Sequence, residues 1–292
     1  MNIVRKIKKL LIFKIVSIRI LSDKNFYRYC YFILYSKKLS YNNPIGFNAK
    51  IQWLKLNYRK PQITQLTDKY EVRKYVADKI GKDFLVPLID VYSNVDEINW
   101  DALPQSFVLK LTHASGWNLI CENKLLISKK KTIKKVKSWL NSSFYKKNKE
   151  WQYKNIVPRI ICEQFLGDSN NKLFEIKVFC YQGKPHFIIA YHSKSKLRTI
   201  YSSEWEKLNA ETKFKKGGNT PKPKNLSLIL QLASKLSTGF PFVRVDFLLV
   251  NEKIYFGELT FTPARGFNSF NPKKIDLTFG EPLNIKTLQN NS

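Results

Sequence analysis

Val243-Arg244-Val245-Asp246-Phe247 and, a few residues on, Tyr255-Phe256-Gly257-Glu258-Leu259-Thr260 alternate polar with apolar side chains. A strand turns successive side chains to opposite faces, so each run has one buried and one polar face. Together they predict an antiparallel hairpin, Val243 to Val250 with Lys253 to Leu259, carrying Arg244, Asp246, Glu258 and Thr260 on its polar side. Asp246 and Glu258 can then face each other. Two carboxylates that close repel unless a cation lies between them, and Mg²⁺ takes a few carboxylates together with phosphate oxygens. The competing reading is a solvated face on which Arg244 and Lys253 balance the acids.

Upstream, the same alternation puts a cation on other strands. Glu175-Ile176-Lys177 opens a hairpin over Phe174 to Ala190 that turns at Gln182-Gly183-Lys184. Lys110 sits in the otherwise apolar strand Phe107 to Leu111. The loop after it, His113-Ala114-Ser115-Gly116-Trp117-Asn118, is small and polar, and its N–H groups can be offered to phosphate. Leu119 to Cys121 follows as a strand. Arg159 to Leu166 is another, and Glu163-Gln164-Phe165-Leu166-Gly167-Asp168 runs from it into a turn, where backbone groups and carboxylates can meet a base and a ribose. Phe84 to Val91 reads as a short strand around Pro87.

Helical periodicity fills the rest. Ala49 to Leu56 is one helix, after the turn signal Asn42-Asn43-Pro44. A second starts at Thr67 or Asp68, carries Tyr70, Val72, Tyr75, Val76 and Ile80 inward, and ends at Gly81. Residues 130–147 predict a lysine-rich helix, and residues 224–238 an apolar one. Strands and helices mix without strict βαβ alternation, so the expected class is α+β with largely antiparallel sheets.

Composition bounds the function. The 292 residues are 43% hydrophobic and 14% aromatic, which supports a real core. No run of about 18 charge-free apolar residues occurs, so no membrane span is expected. The stretch Met1 to Leu39 is cationic and apolar by turns and lacks a small-residue cleavage site, against a signal peptide. Residues 1–40 read as basic amphipathic helices, either a cap on the domain or a contact with an anionic membrane surface. Cys30, Cys121, Cys162 and Cys180 are far apart and show no metal spacing, which fits buried thiols in a reducing, cytoplasmic setting. The net charge of +29 fits a lysine-rich proteome or an anionic partner. It carries no zinc-finger, RRM or leucine-zipper pattern, so nucleic acid is not the expected partner.

The order Lys110, loop, Glu163, Lys177, Arg244-x-Asp246 and Glu258-x-Thr260 resembles the ATP-grasp superfamily. More narrowly, the chain is similar to the TupA-like ATP-grasp proteins of teichuronopeptide and polysaccharide biosynthesis, often labelled glycosyltransferases. The likeness runs from about Pro44 to Pro272. It rests on Phe47-Asn48-Ala49-Lys50-Ile51-Gln52-Trp53-Leu54-Lys55-Leu56, Asp68-Lys69-Tyr70-Glu71-Val72-Arg73, Phe107-Val108-Leu109-Lys110, Glu150-Trp151-Gln152-Tyr153-Lys154, Lys177-Val178-Phe179-Cys180, and Phe242 through Pro263.

The resemblance implies an ATP-grasp fold over residues 41–285, two α+β subdomains gripping ATP, with residues 1–40 as a helical extension and 286–292 as a tail. It implies ATP and Mg²⁺ as cofactors. Lys110 and Lys177 would contact the phosphates, with Lys69 and Arg73 near them and Ser115 and Gly116 in the phosphate loop. Glu163 would meet the adenine amino group, the Phe165 backbone the rest of the base edge, and Asp168 the ribose. Asp246, Glu258 and Thr260 would hold the metal, Arg244 would stabilise charge in the reaction, and Thr262-Pro263-Ala264-Arg265-Gly266 would border the acceptor. The implied activity is carboxylate–amine ligation through an acyl phosphate, joining an amino acid or peptide to a sugar of a capsular or other cell-envelope polysaccharide. The implied partners are ATP, the carboxylate and amine substrates and a glycan precursor; the basic face of residues 1–40 adds the anionic inner face of the membrane as the alternative to a cap on the domain.

Two departures bear on activity. The family usually ends its metal set with Asn where this chain has Thr260, and its loop reads Asn-His-Gly-Ser-Gly-Gly where this chain has Thr112-His113-Ala114-Ser115-Gly116-Trp117. The rival readings are a glycosyltransferase, for which the chain lacks a D-x-D motif, and a non-catalytic basic protein that binds glycan or membrane.

Overall fold

The computed structural model describes residue 7 and residues 21–167, 173–192, 197–212 and 217–289. Most of residues 1–20, and Asp168, lie outside the described residues.

Two antiparallel sheets make the frame. The smaller has the order β1-β4-β2-β3, from β1 (Leu88–Tyr92), β2 (Phe107–Leu111), β3 (Asn118–Cys121) and β4 (Ile160–Gln164). The larger has the order β7-β6-β5-β8-β9, from β5 (Phe174–Tyr181), β6 (Lys184–His192), β7 (Arg198–Ser202), β8 (Val243–Val250) and β9 (Lys253–Thr260). Two antiparallel sheets with helices packed on them are the α+β architecture that the mixed strands and helices predicted.

Each face of β5 has a different neighbour. Ile176, Val178 and Cys180 turn to the back of the large sheet, where Ile229, Leu232, Ala233 and Leu236 of α7 (Leu226–Ser237) cover them. On the front, Phe179 and Tyr181 pack under Phe47 and Ile51 of α2 (Phe47–Asn57) and Phe279 of α8 (Ile275–Gly280). Glu175 and Lys177, on that same front face, lie beyond the cover of these helices and border a cleft. A single strand thus passes from core to site along one face. The close approach of α2 and α8 depends on Gly280, where an added Cβ would stand 2.6 Å from the backbone of Gly46 and Phe47.

Several expected elements differ. Residues 130–147 form two helices, α5 (Lys129–Leu140) and α6 (Phe144–Asn148), because Ser142 bonds back to the Ser138 carbonyl and Ser143 caps α6 through Lys146 N–H. The strand expected from Phe84 starts only at Leu88: Lys82–Phe84 is a 3₁₀ turn, and Pro87 has no N–H for a ladder. The helix expected from Thr67 or Asp68 starts at Val72 (α4, Val72–Ile80). Asp68 instead accepts from the Tyr70 and Glu71 N–H groups in a local turn, while α3 (Pro61–Thr67) precedes it. Strand β7 was not expected at all, since Arg198–Ser202 follows the hairpin without a turn signal. Of residues 1–40, α1 (Asp23–Tyr35) is described. It buries Phe26, Tyr27, Cys30 and Tyr31 and ties Tyr35 to the Asn268 carbonyl at 2.8 Å. All four cysteines are buried and unbridged.

Candidate functional site

Between the sheets lies a cleft of about 360 Å³, a volume typical of small-molecule sites. Lys110 and Glu163 project into it from β2 and β4 of the small sheet, and Ser115 and Gly116 from the loop after β2. Arg73 reaches it from α4, with Lys69 from the turn before that helix. Lys177, Asp246 and Glu258 enter from the large sheet. Phe165, Leu248 and Phe256 supply apolar wall. Asp168 is outside the described residues.

The register explains the ionic core. Asp246 pairs with Glu258 across β8 and β9, and with Lys177 across β5. Arg244, two residues earlier on the same face, reaches both Asp246 oxygens at 2.6 Å, Glu258 at 3.1 Å and the Thr260 hydroxyl at 3.0 Å. Thr260 in turn donates to Glu258 at 2.7 Å. Lys177 donates to Asp246 at 2.8 Å and pairs with Glu175 at 2.6 Å. Burial alone would raise the Asp246 carboxyl, but Arg244 and Lys177 outweigh it and hold it below the usual carboxylate range. The same pairing, against burial, raises Lys177 and Arg244.

A second ionic group stands opposite. Glu163 accepts from Lys110 at 2.5 Å and from Arg73 at 2.9 Å, and Arg73 also donates to the Val86 carbonyl. Lys69 donates to the Leu111 and Ala114 carbonyls and so pins the loop after β2. Burial pushes its ammonium down to about 8, with Glu258 pulling the other way. In the motif around it, Asp68 and Glu71 are held by Arg159 at 2.9 and 2.8 Å, and Tyr70 lies under its guanidinium.

The altered loop does not fill the cleft. The Ala114 methyl and the Trp117 ring turn into the small-sheet core, where Trp117 stacks on Trp139 at 6.3 Å. Gly116 keeps φ +75° with open space where a Cβ would stand. His113 is buried and donates from Nε2 to the Ser142 carbonyl at 3.1 Å, so it shapes the loop.

Among the eight ionisable residues that line the cleft, Lys69, Arg73, Lys110 and Lys177 face Glu163, Glu175, Asp246 and Glu258. Counting Arg244, which is bonded to Asp246 and Glu258, five positive groups stand against four negative ones, so most of the chain's charge of +29 lies elsewhere. Most of the cleft's positive charge is therefore committed to its own carboxylates, which favours a triphosphate that brings a cation with it. Asp246 and Glu258 suit that cation, since Mg²⁺ is usually held by one or two carboxylates plus the substrate's phosphates. Among the described residues no three His, Cys, Asp or Glu side chains gather as a self-sufficient metal cage. Two carboxylates and the Thr260 hydroxyl form a donor set that suits Mg²⁺ arriving with a nucleotide.

The chain matches the TupA-like ATP-grasp family over residues 49–284. It belongs to that family. No curated protein is significantly similar to it. Solved structures similar to it include the D-alanine–D-alanine ligase from Helicobacter pylori, at 14% identity and a TM-score of 0.48 over 82% of this chain and 64% of that one. The Bacillus anthracis D-alanine–D-alanine ligase in complex with ATP gives 13% and 0.46, over 84% and 69%. A RimK domain ATP-grasp protein from Sphaerobacter thermophilus gives 10% and 0.41, over 76% and 69%. The TupA-like chain thus spans about two thirds of the length of these proteins. Its membership rests on the family match, not on these distant likenesses.

The motif Phe47 to Leu56 proves to be a strap for the segment after β9. Asn48 bonds Asp276 and the Asn268 carbonyl, and Lys50 donates to the Gly280 and Leu283 carbonyls. Gln52 donates to the Arg265 and Gly266 carbonyls, both at 2.9 Å, and Lys55 to that of Arg265 at 3.1 Å. These bonds hold Ala264 and Arg265 at φ +49° and +62°, a region that side chains seldom occupy. Lys55 is fully buried over the Tyr27 ring at 3.7 Å.

Residue-by-residue alternation did not flag Glu175, Tyr153 or Lys55 as site-related. Glu175 shares the Lys177 face, which its spacing of two could have revealed. Tyr153, half-buried close to the Glu150 and Glu258 charges, and Lys55, which holds the Arg265 carbonyl, are brought to their places only by the tertiary fold.

Lys55 leads to a pH prediction. Burial pushes its ammonium from the ordinary 10.5 down to about 7, against the pull of Glu150. Between those values the unfolded chain holds the proton and the folded chain does not. Its contribution to stability therefore rises with pH across that window, at a limiting slope of about 1.4 kcal/mol per pH unit. Urea melts at pH 7 and pH 9 should show Lys55→Met gaining less stability than the parent over this interval. Equal gains in both chains would contradict the assignment.

Proposed function

We propose that this TupA-like chain is an ATP-dependent carboxylate–amine ligase, with residues 41–285 as the catalytic unit and residues 1–40 as an extension. The observation that supports it most directly is the ion-paired cleft of Lys110, Glu163, Lys177 and Asp246 between two antiparallel sheets. Phe165, Leu248 and Phe256 supply apolar surface for a base, and Arg73, Lys69 and the Ser115–Gly116 loop lie beside the lysines.

Mg²⁺ held between the phosphates and Asp246, Glu258 and the Thr260 hydroxyl would supply charge neutralisation on the nucleotide. The protein's own part is an exchange of partners. Lys110 and Lys177, paired with Glu163 and Asp246, would turn their donors to phosphate oxygens. Arg244 then faces the reacting carboxylate. In the reaction, a carboxylate oxygen bonds to the γ-phosphorus and ADP leaves with the bridging oxygen. An amine nitrogen next bonds to the acyl carbon, phosphate leaves, and the amine gives up a proton. Arg244, fixed by Asp246, Glu258 and Thr260, is placed to stabilise negative charge as it develops. The strap from α2 holds the Thr262–Gly266 segment, which borders the acceptor in this reading. We infer a sugar-linked acceptor of a cell-envelope polysaccharide from the family alone, and a cytoplasmic, membrane-proximal setting with it.

The test is ADP release from ATP and Mg²⁺ across a set of carboxylate and amine pairs, with UDP-sugars in parallel. The ligase reading expects ADP only when both substrates are present, and a loss on the order of a hundredfold for Lys110→Ala. Turnover of a UDP-sugar without ATP would replace it with the glycosyltransferase reading.

A further inference from the structure

We propose that the Leu125–Leu126 prominence and the lysine face of α5 beside it form a docking surface for an anionic lipid bilayer. Leu125 and Leu126 are 81% and 83% exposed, the highest values among the described hydrophobic residues. Their exposure is built in. Asn123 caps their 3₁₀ turn through the Leu125 N–H at 2.9 Å, and Lys124 N–H bonds the Gln105 carbonyl at 2.7 Å. The Lys124 ammonium turns away from solvent and grips the Trp100, Asp101 and Leu103 carbonyls at 3.1, 3.3 and 2.6 Å. The usual order, apolar inside and charge outside, is inverted at this turn.

The next segment supplies the charge. Helix α5 reads KKKTIKKVKSWL, with six lysines and no acid. Lys129, Lys130, Lys131, Lys134, Lys135 and Lys137 are exposed, while Thr132 and Val136 face the small-sheet core. One acid approaches them, Asp96, at 3.8 Å from Lys137 and itself exposed. Apolar side chains that project from a rigid turn, flanked by unbalanced lysines, are what an anionic membrane interface accepts: leucines enter the acyl boundary and ammonium groups remain among the headgroups. An acidic polysaccharide would engage the lysines but leave the leucines in water. The surface continues onto the edge strand β3, where Ile120 is 59% exposed and, with Asn118, lines the cleft. A chain seated this way carries its cleft mouth close to the bilayer.

The experiment uses the full chain with Leu126→Cys carrying a polarity-sensitive fluorophore; the native cysteines are buried. Leu277→Cys, at 53% exposure on α8, is the control. Vesicles of phosphatidylcholine, alone or mixed with phosphatidylglycerol, are titrated in. The expected result is a blue shift at position 126, none at 277, and only with the anionic vesicles. In flotation, Leu125→Ser/Leu126→Ser and Lys129→Gln/Lys130→Gln/Lys131→Gln should each weaken vesicle binding on the order of a hundredfold. Neither should alter the response to Mg-ATP, which separates this outcome from failure of the ligase reading. Three results would overturn the proposal. One is unchanged binding of the serine variant, which assigns attachment to another segment. Another is a shift at 126 that grows with protein concentration without vesicles, which assigns the surface to a second copy. The third is equal affinity of parent and serine variant for a soluble acidic polysaccharide, at least as tight as for vesicles.

Discussion

Replacing Asp246 by Asn together with Glu258 by Gln should abolish the Mg-dependent response of this protein to ATP. With ATP and Mg²⁺ at a hundred times the dissociation constant, the parent gains about 2.7 kcal/mol of apparent stability by mass action. For a chain of this size that corresponds to a rise on the order of 5 °C in melting temperature. The double variant should show almost none of that rise, and ADP release should fall on the order of a thousandfold. Asp246 is buried between Arg244 and Lys177, so its replacement also leaves two cations short of a partner and lowers stability before any ligand is added. Glu258→Gln alone avoids this complication, since that side chain is 36% exposed. Each variant is compared with its own ligand-free melt. A full ATP response in Glu258→Gln and in the double variant would remove these carboxylates from nucleotide binding. A response in the parent that is the same with and without Mg²⁺ would contradict the charge argument, because lysines already paired with carboxylates would then be accepting a bare triphosphate.

Phe47→Ala should cost about 3–5 kcal/mol of folding stability, which lowers the melting temperature on the order of 10 °C. The ring is 0% exposed and meets Phe242 edge-on at 5.1 Å, Phe179 at 5.9 Å, Phe279 at 6.2 Å and Phe270 at 6.3 Å. It joins α2 to β5, to α8 and to Phe242 just before β8, so its loss opens a cavity where these segments meet. Nucleotide affinity at low temperature should stay near that of the parent, since the ring lies under the covered half of the sheet and not on the cleft. A small stability loss, within about 1 kcal/mol, would mean that the surrounding rings collapse into the space.

The local chemistry of this protein was legible where period and register suffice. Alternation placed Arg244, Asp246, Glu258 and Thr260 on one face, and β8 pairs with β9 so that Asp246 faces Glu258 as expected. The same logic found Lys110 and Lys177. Their mutual relation was not legible. Glu163 is the counter-ion of Lys110 because β2 and β4 are neighbours in the small sheet although 53 residues separate the two side chains. Nothing in either strand announces that pairing. The boundaries that were missed have local causes: serines that end a helix at Ser142 and Ser143, a proline that delays β1, and an Asp68 that turns the chain before α4.

What the sequence determined by itself was every strand but β7, the polar faces of β2, β5, β8 and β9, the residue types available for phosphate and metal, and the likeness to a family. These follow from side-chain period and from ordered motifs, both of which are properties of neighbours along the chain. Only the tertiary structure decided that the cleft's cations and carboxylates pair with one another, that Ala114 and Trp117 turn away from it, and that the Phe47–Leu56 motif straps down the segment after β9. Those outcomes depend on which side chains meet across long separations. Charge pairing and close packing act through distance in space, and sequence separation leaves that distance undetermined.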